Sequence, residues 1–119
     1  MNKTELESRT KIFALRVIEF VGGLPKSNAG DVLGYQLLKS AASIGANYRE
    51  ANRAESHADF IHKISIVEKE SAETEYWLEL CKEGKVGDLS CIESLRLECK
   101  ELLAIFTRIG KTAKDKPNR

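Results

Sequence analysis

Long stretches free of helix breakers constrain this chain more than any other feature. Its only prolines are Pro25 and Pro117, and Gly22 with Gly23 and Gly84 with Gly87 mark natural stops. Between the stops, apolar residues return every three or four positions, the period of a helix with one buried face. Leu6, Thr10, Phe13, Val17, Phe20 and Leu24 form the first stripe, and Leu33, Leu37, Ala41, Ile44 and Tyr48 the second. Phe60, Ile64, Val67, Ser71, Thr74, Leu78 and Cys81 form the third. Leu89, Ile92, Leu95, Cys99, Leu102, Phe106 and Ile109 form the fourth. The pattern predicts an all-α chain without strands, an antiparallel up-and-down four-helix bundle. Its 119 residues fit one domain over 1–119, with helices at about 5–21, 30–53, 57–82 and 90–110 and a basic tail over 111–119.

Local signals place the helix ends. Thr4 with Glu7 and Ser90 with Glu93 have capping-box spacing, and Ser56 with Asp59 makes a related cap. Helix two is expected to start between Ser27 and Asp31, and helix four at Asp88 or Ser90. After Gly110 the chain turns polar and basic, and fraying is expected there.

Composition narrows the function classes. Hydrophobic residues at 42% and charged residues at 31% suit a folded globular domain, so disorder is expected only at the ends. No apolar run reaches the roughly eighteen residues a membrane-spanning helix requires, and the polar start MNKTELESRTK lacks a signal-peptide core. Cys81, Cys91 and Cys99 have no CxxC spacing, so reduced thiols in the cytoplasm are the expectation. The net charge of +1 is unevenly spread: Glu68, Glu70, Glu73, Glu75, Glu79 and Glu83 crowd helix three, whereas Arg108, Lys111, Lys114, Lys116 and Arg119 crowd the C-terminal end. The basic group is a candidate nucleic-acid contact, with a solvated face as the plainer reading.

Three features exceed what a bundle core requires. Gln36, Ser40, Ser43, Asn47 and Glu50 align on one face of helix two, where lysines and glutamates would be usual on a solvent face. Gly45, at a cost of about 1 kcal/mol relative to alanine inside a helix, lies beside Ala42 and Ala46 and implies close approach by another backbone. On helix three, Ile66, Glu70, Glu73, Trp77 and Leu80 set two carboxylates among apolar residues. Carboxylates so placed need donors, and the polar stripe of helix two is the expected source. Gln36, Ser40, Ser43, Asn47, Glu50, Glu70, Glu73 and Trp77 are therefore the candidate polar seam.

Catalytic and metal signatures are not expected. A di-metal bundle needs two Glu-x-x-His copies, whereas the nearest match here is Asp59-x-x-His62, once. No serine or cysteine has a histidine partner implied by spacing, and no glycine-rich phosphate loop is present. The expectation is a non-enzyme with no cofactor and no metal.

The run QLLKSAASIGANYREANRAES followed by DFIHKISIVEKESAETEYWLEL resembles the bacterial four-helix family first associated with intervening sequences in 23S ribosomal RNA genes. The Leu24-Pro25 loop, Gln36-Leu37, the Ser-Ile-x-x-Asn run ending at Asn47, Glu50, Asp59-Phe60 and the Glu-Thr-x-x-Trp-Leu run from Glu73 to Leu78 carry the likeness over about residues 10 to 110. Where the family commonly has Asn-Ile-Ala-Glu-Gly, this chain has Asn47-Tyr48-Arg49-Glu50-Ala51. The resemblance implies a ring-like homopentamer and no established enzymatic activity. A related branch works with a reverse transcriptase and nucleic acid, and is more basic than this chain. Two expectations follow: a non-catalytic self-associating module, or a nucleic-acid binder that pools the basic ends of several copies.

Overall fold

The computed structural model describes residues 1–116 and contains four helices: α1 (Lys3–Gly22), α2 (Asn28–Ala51), α3 (His57–Glu83) and α4 (Leu89–Asp115). They run up and down, each packing on its sequence neighbours, with α1 and α4 closing the ring of contacts. The bundle measures 51 × 22 × 19 Å, so its cross-section is nearly square.

The four predicted stripes meet at the centre. Phe13, Phe106, Leu37, Ile44, Ile64, Leu78 and Leu102 are fully buried, and Tyr48 meets Phe106 edge-on at 5.1 Å. Leu33, Phe60 and Ile109 are only partly buried. Leu89, expected in the core, is 57% exposed, because it is the first residue of α4 and the core contact begins at Ile92. Tyr35 and Tyr76 also face outward.

Several ends differ from expectation for identifiable reasons. Asn2 rather than Thr4 caps α1, its Oδ1 accepting from the Glu5 amide at 2.8 Å, so the helix begins two residues early. Glu7, freed from the capping box, instead accepts from Asn52 Nδ2 at 2.9 Å and ties α1 to the end of α2. Ser27 and Ser56 cap α2 and α3, accepting from Gly30 and Asp59. Of the two starts open for helix four, Asp88 takes the cap of α4, through the Cys91 amide at 2.9 Å, and Glu93, expected in a capping box with Ser90, pairs instead with Lys82 of α3 at 2.8 Å.

The largest correction concerns residues 111–115, which are helical. Gly110 is no stop: a Cβ there would lie 2.8 Å from Glu68 Oε2 and 3.3 Å from Ile64 Cγ2. It is the place where α3 comes close, and Ala113 is buried one turn beyond. At the opposite end, Gly87 has φ +96° and a Cβ there would strike Phe20 and Leu24 at 2.6–2.8 Å. That backbone conformation and that space both require glycine.

Candidate functional site: the outer seams of the bundle

The predicted polar stripe divides between interior and surface. Ser40 is fully buried and its hydroxyl lies 2.9 Å from the Thr74 hydroxyl of α3. Gln36, Ser43 and Asn47 are half-buried, and Glu50 is exposed. Ser43 donates to the Lys39 carbonyl at 2.9 Å and Asn47 to the Ser43 carbonyl at 2.8 Å, both one turn back on the same helix. Glu50 pairs with Lys63 at 3.0 Å. Such short side chains satisfy themselves locally before they can reach across to another helix.

Donors from α2 therefore do not meet Glu70 and Glu73, and the expected pairing is corrected. Glu73 accepts from the Trp77 indole at 3.3 Å, whereas Glu70 accepts only at its backbone carbonyl, from Thr74, and its carboxylate has no donor among the described residues. Burial, then the neighbouring Glu73, hold the Glu70 carboxyl above the usual carboxylate range, against the opposing pull of Lys69 and Lys39. The Ile66–Leu80 stripe is thus a half-buried ledge on the outside of α3, with its carboxylates short of donors.

A second outer feature lies between α1 and α2. Thr10, Lys11, Ala14, Ala42, Gly45, Ala46 and Arg49 line a groove of about 240 Å³. At its floor, a Cβ on Gly45 would lie 3.0 Å from Thr10 Oγ1, which is the close helix approach expected of this glycine. Neither Lys11 nor Arg49 forms an ion pair within the described residues.

The outward side of α1 is a feature the stripe count missed. Ile12 and Leu15 are each 53% exposed and Ile18 is 51% exposed. A helix that is apolar on its outer as well as its inner side is normally covered on both. The signal was in the sequence, since only Arg16 and Glu19 carry charge between Ile12 and Val21. On the α4 side, Arg9 grips Glu98 with both Nε and Nη2 at 2.7 Å, and Arg16 donates to Ser94 at 2.6 Å. A further cavity of about 440 Å³ at the α3–α4 turn is floored by Phe20, Leu24 and Leu95 and edged by Arg16, Glu19 and Asp88.

Arg108, Lys111, Lys114 and Lys116 are exposed at the end of α4, on helix for all but the last; Arg119 lies outside the described residues. Cys81 and Cys99 are buried, with Cys99 donating to the Ser71 carbonyl and its thiol pushed up to about 12 by burial. Among the described residues, no three His, Cys, Asp or Glu side chains gather in a way that holds a metal ion. No described helix is long and apolar enough to cross a membrane.

Four antiparallel helices around one apolar core define an all-α up-and-down bundle. Residues 3–108 match the 23S rRNA-intervening sequence protein family, and the chain belongs to it. A crystal structure of a protein of unknown function from the S23 ribosomal protein family of Bacteroides thetaiotaomicron is similar over 93% of this chain and 99% of its own. The two share 35% sequence identity and superpose with a TM-score of 0.83. No curated protein matches.

Proposed function

We propose that this protein is a non-catalytic, self-associating helical module of the cytoplasm. The outward face of α1 carries the reading: Ile12, Leu15 and Ile18 lie in a row on a helix whose other side already fills the core. Contiguous apolar surface of a few hundred Å² on a soluble domain marks an interaction site. A second copy of the chain is the partner always present at equal concentration, and family resemblance sets the expected number at five. Three unpaired cysteines, two of them buried, suit a reducing compartment. Sedimentation velocity at micromolar concentration and low salt tests the proposal. An oligomer is expected, and a single monomeric species sinks it.

A specific observation favours a second reading, nucleic-acid binding by an oligomer. The basic residues Arg108, Lys111 and Lys114 extend from a helix rather than from a frayed tail, so several copies would present them in fixed positions. Pooled charge raises affinity for a polyanion without any new contact in a single copy. Filter binding at 50 mM salt tests this reading, and retention of no RNA or DNA counts against it.

A further inference from the structure

The two unsatisfied outer seams fit one another, and the register inside the bundle says where they touch. On α3, the Ile66–Leu80 ledge offers Trp77 and Leu80 with two carboxylates, Glu73 bonded to the Trp77 indole alone and Glu70 without a donor among the described residues. The α1–α2 groove offers a floor of small residues and two cations without ion-pair partners among the described residues, and the exposed Ile18 follows one turn after Ala14 on α1. One surface is acidic and apolar, the other basic and apolar.

Their placement excludes a face-to-itself contact. The groove lies on one side of α2 and the ledge on the other side, along the α2–α3 edge. Different patches meeting from copy to copy make a head-to-tail interface, which closes only as a ring. In a nearly square bundle, faces on either side of one helix point about 90° apart, so such a ring closes with about four copies, and with five if the wedge narrows to about 72°. The shared helix α2 then faces the centre.

A closed ring has no net rise from copy to copy, so with bundle axes parallel to the ring axis, residues at one height must meet. Heights are set by two observed contacts. Ser40 lies level with Thr74, and Gly45 lies level with Thr10. Counting along the antiparallel helices from these contacts brings Glu70 level with Lys11, and Trp77 level with Ile18. The uncompensated carboxylate thus falls at the height of an unpaired cation, and the indole at the height of an exposed isoleucine. Arg49 lies about 7.5 Å along α2 from the level of Glu70, a distance its long side chain can span.

We propose that the Glu70–Trp77 ledge of one copy docks into the Ala14–Ala42–Ala46 groove of the next, Glu70 against Lys11 and Trp77 against Ile18. The inference rests on self-association and adds to it the surfaces and the register. It also supplies the donors that α2 of the same copy withholds from Glu70.

Charge reversal in the full chain tests it, read by sedimentation velocity with circular dichroism to confirm folding. Lys11→Glu and Glu70→Lys should each raise the dissociation constant at least tenfold, and the combined variant should return to within about threefold of the parent. Ile18→Ser, on an exposed position, should weaken assembly by a similar factor. A parent that is monomeric overturns self-association altogether. A parent that assembles while both charge variants leave the oligomer unchanged overturns this interface alone. So does a folded combined variant that stays dissociated. If a reversal variant fails to fold, Ala42→Cys with Glu73→Cys, which the register brings within one residue of the same height, replaces it in a Cys91→Ser background. Mild copper-phenanthroline oxidation should then yield a ladder of linked chains from the double variant and none from either single one. An absent ladder overturns the interface.

Discussion

The hydroxyls of Ser40 and Thr74 lie 2.9 Å apart in the fully buried interior, joining α2 to α3. Each also reaches a carbonyl on its own helix, Leu37 at 3.2 Å and Glu70 at 2.7 Å. Two protons can therefore serve three contacts, and neither oxygen is left bare. Thr74→Val keeps the shape and breaks this chain of bonds, at an expected cost of about 1 kcal/mol. For a domain of this size that is about 3–5 °C in Tm. A double-mutant cycle with Ser40→Ala in urea should give a coupling of about 0.5 kcal/mol or more. Strict additivity would show that the link carries no energy.

Gly87→Ala is expected to destabilise the protein by about 2–4 kcal/mol, since it combines left-handed backbone strain with overpacking. The new methyl would lie within 2.8 Å of Phe20 and Leu24, which hold the end of α1 against the α3–α4 turn. Chemical denaturation measures the loss. A change below half a kcal/mol would mean that the turn relaxes freely.

Arg9 and Glu98 form a two-pronged pair that is less than one-third exposed on either side, and it clamps α1 to α4. The Glu98 hydrogen bond, more than any other contact, raises the Arg9 pKa. Arg9→Gln should cost about 1 kcal/mol, and the difference should shrink in 1 M salt as screening weakens what the parent gains. Hydrogen exchange should quicken first in α1. Equal exchange in all four helices would contradict the clamp.

The pH response of Glu70 has a definite sign. A carboxyl whose folded pKa lies above its unfolded one opposes folding when ionised, and that penalty disappears as pH falls below the unfolded value near 4.3. Glu70→Gln should therefore raise the unfolding free energy of the protomer at pH 7 and lose that advantage at pH 3.5. Under the interface proposed above, the same substitution should weaken assembly at pH 7. Opposite effects on folding and on association would separate a carboxylate kept for a partner from one merely tolerated.

Thiol labelling reads the helix-four cap. Cys91 is exposed, while Cys81 and Cys99 are buried, so one thiol should react in the native state and three after denaturation. The Asp88 side chain, through its hydrogen bond, raises the Cys91 thiol and slows it at pH 8. Asp88→Asn retains a capping oxygen but removes the charge, and should speed labelling severalfold. An unchanged rate would show that access rather than ionisation limits the reaction.

Much of this molecule was legible from periodicity. A helix that buries one face announces it locally, so the four stripes, from Phe13 and Val17 to Leu102 and Phe106, could be read without knowing their neighbours. Gly45 was also legible, because a glycine in mid-helix beside two alanines has few physical uses other than close approach. Helix ends were harder. Asn2 displaced Thr4, and the choice between Asp88 and Ser90 stayed open, since several residues near each start can cap and the choice depends on what packs next. The turn of helix beyond Gly110 was not legible, because a polar, basic stretch gives no local sign of the contact with α3 that holds it.

By itself, then, the chain determined four amphipathic helices, their order and the buried side of each, because these follow from repeats of three and four residues. Only the tertiary structure decided which polar groups would find partners. Ser40 met Thr74 from thirty-four positions away, Glu50 met Lys63, and among the described residues the Glu70 carboxylate met no donor. Hydrogen bonds depend on distances of a few tenths of an ångström between distant parts of the chain, and no local pattern encodes those. The outward apolar face of α1 belongs to the same class, since whether a second stripe is surplus depends on how many sides the fold has already covered.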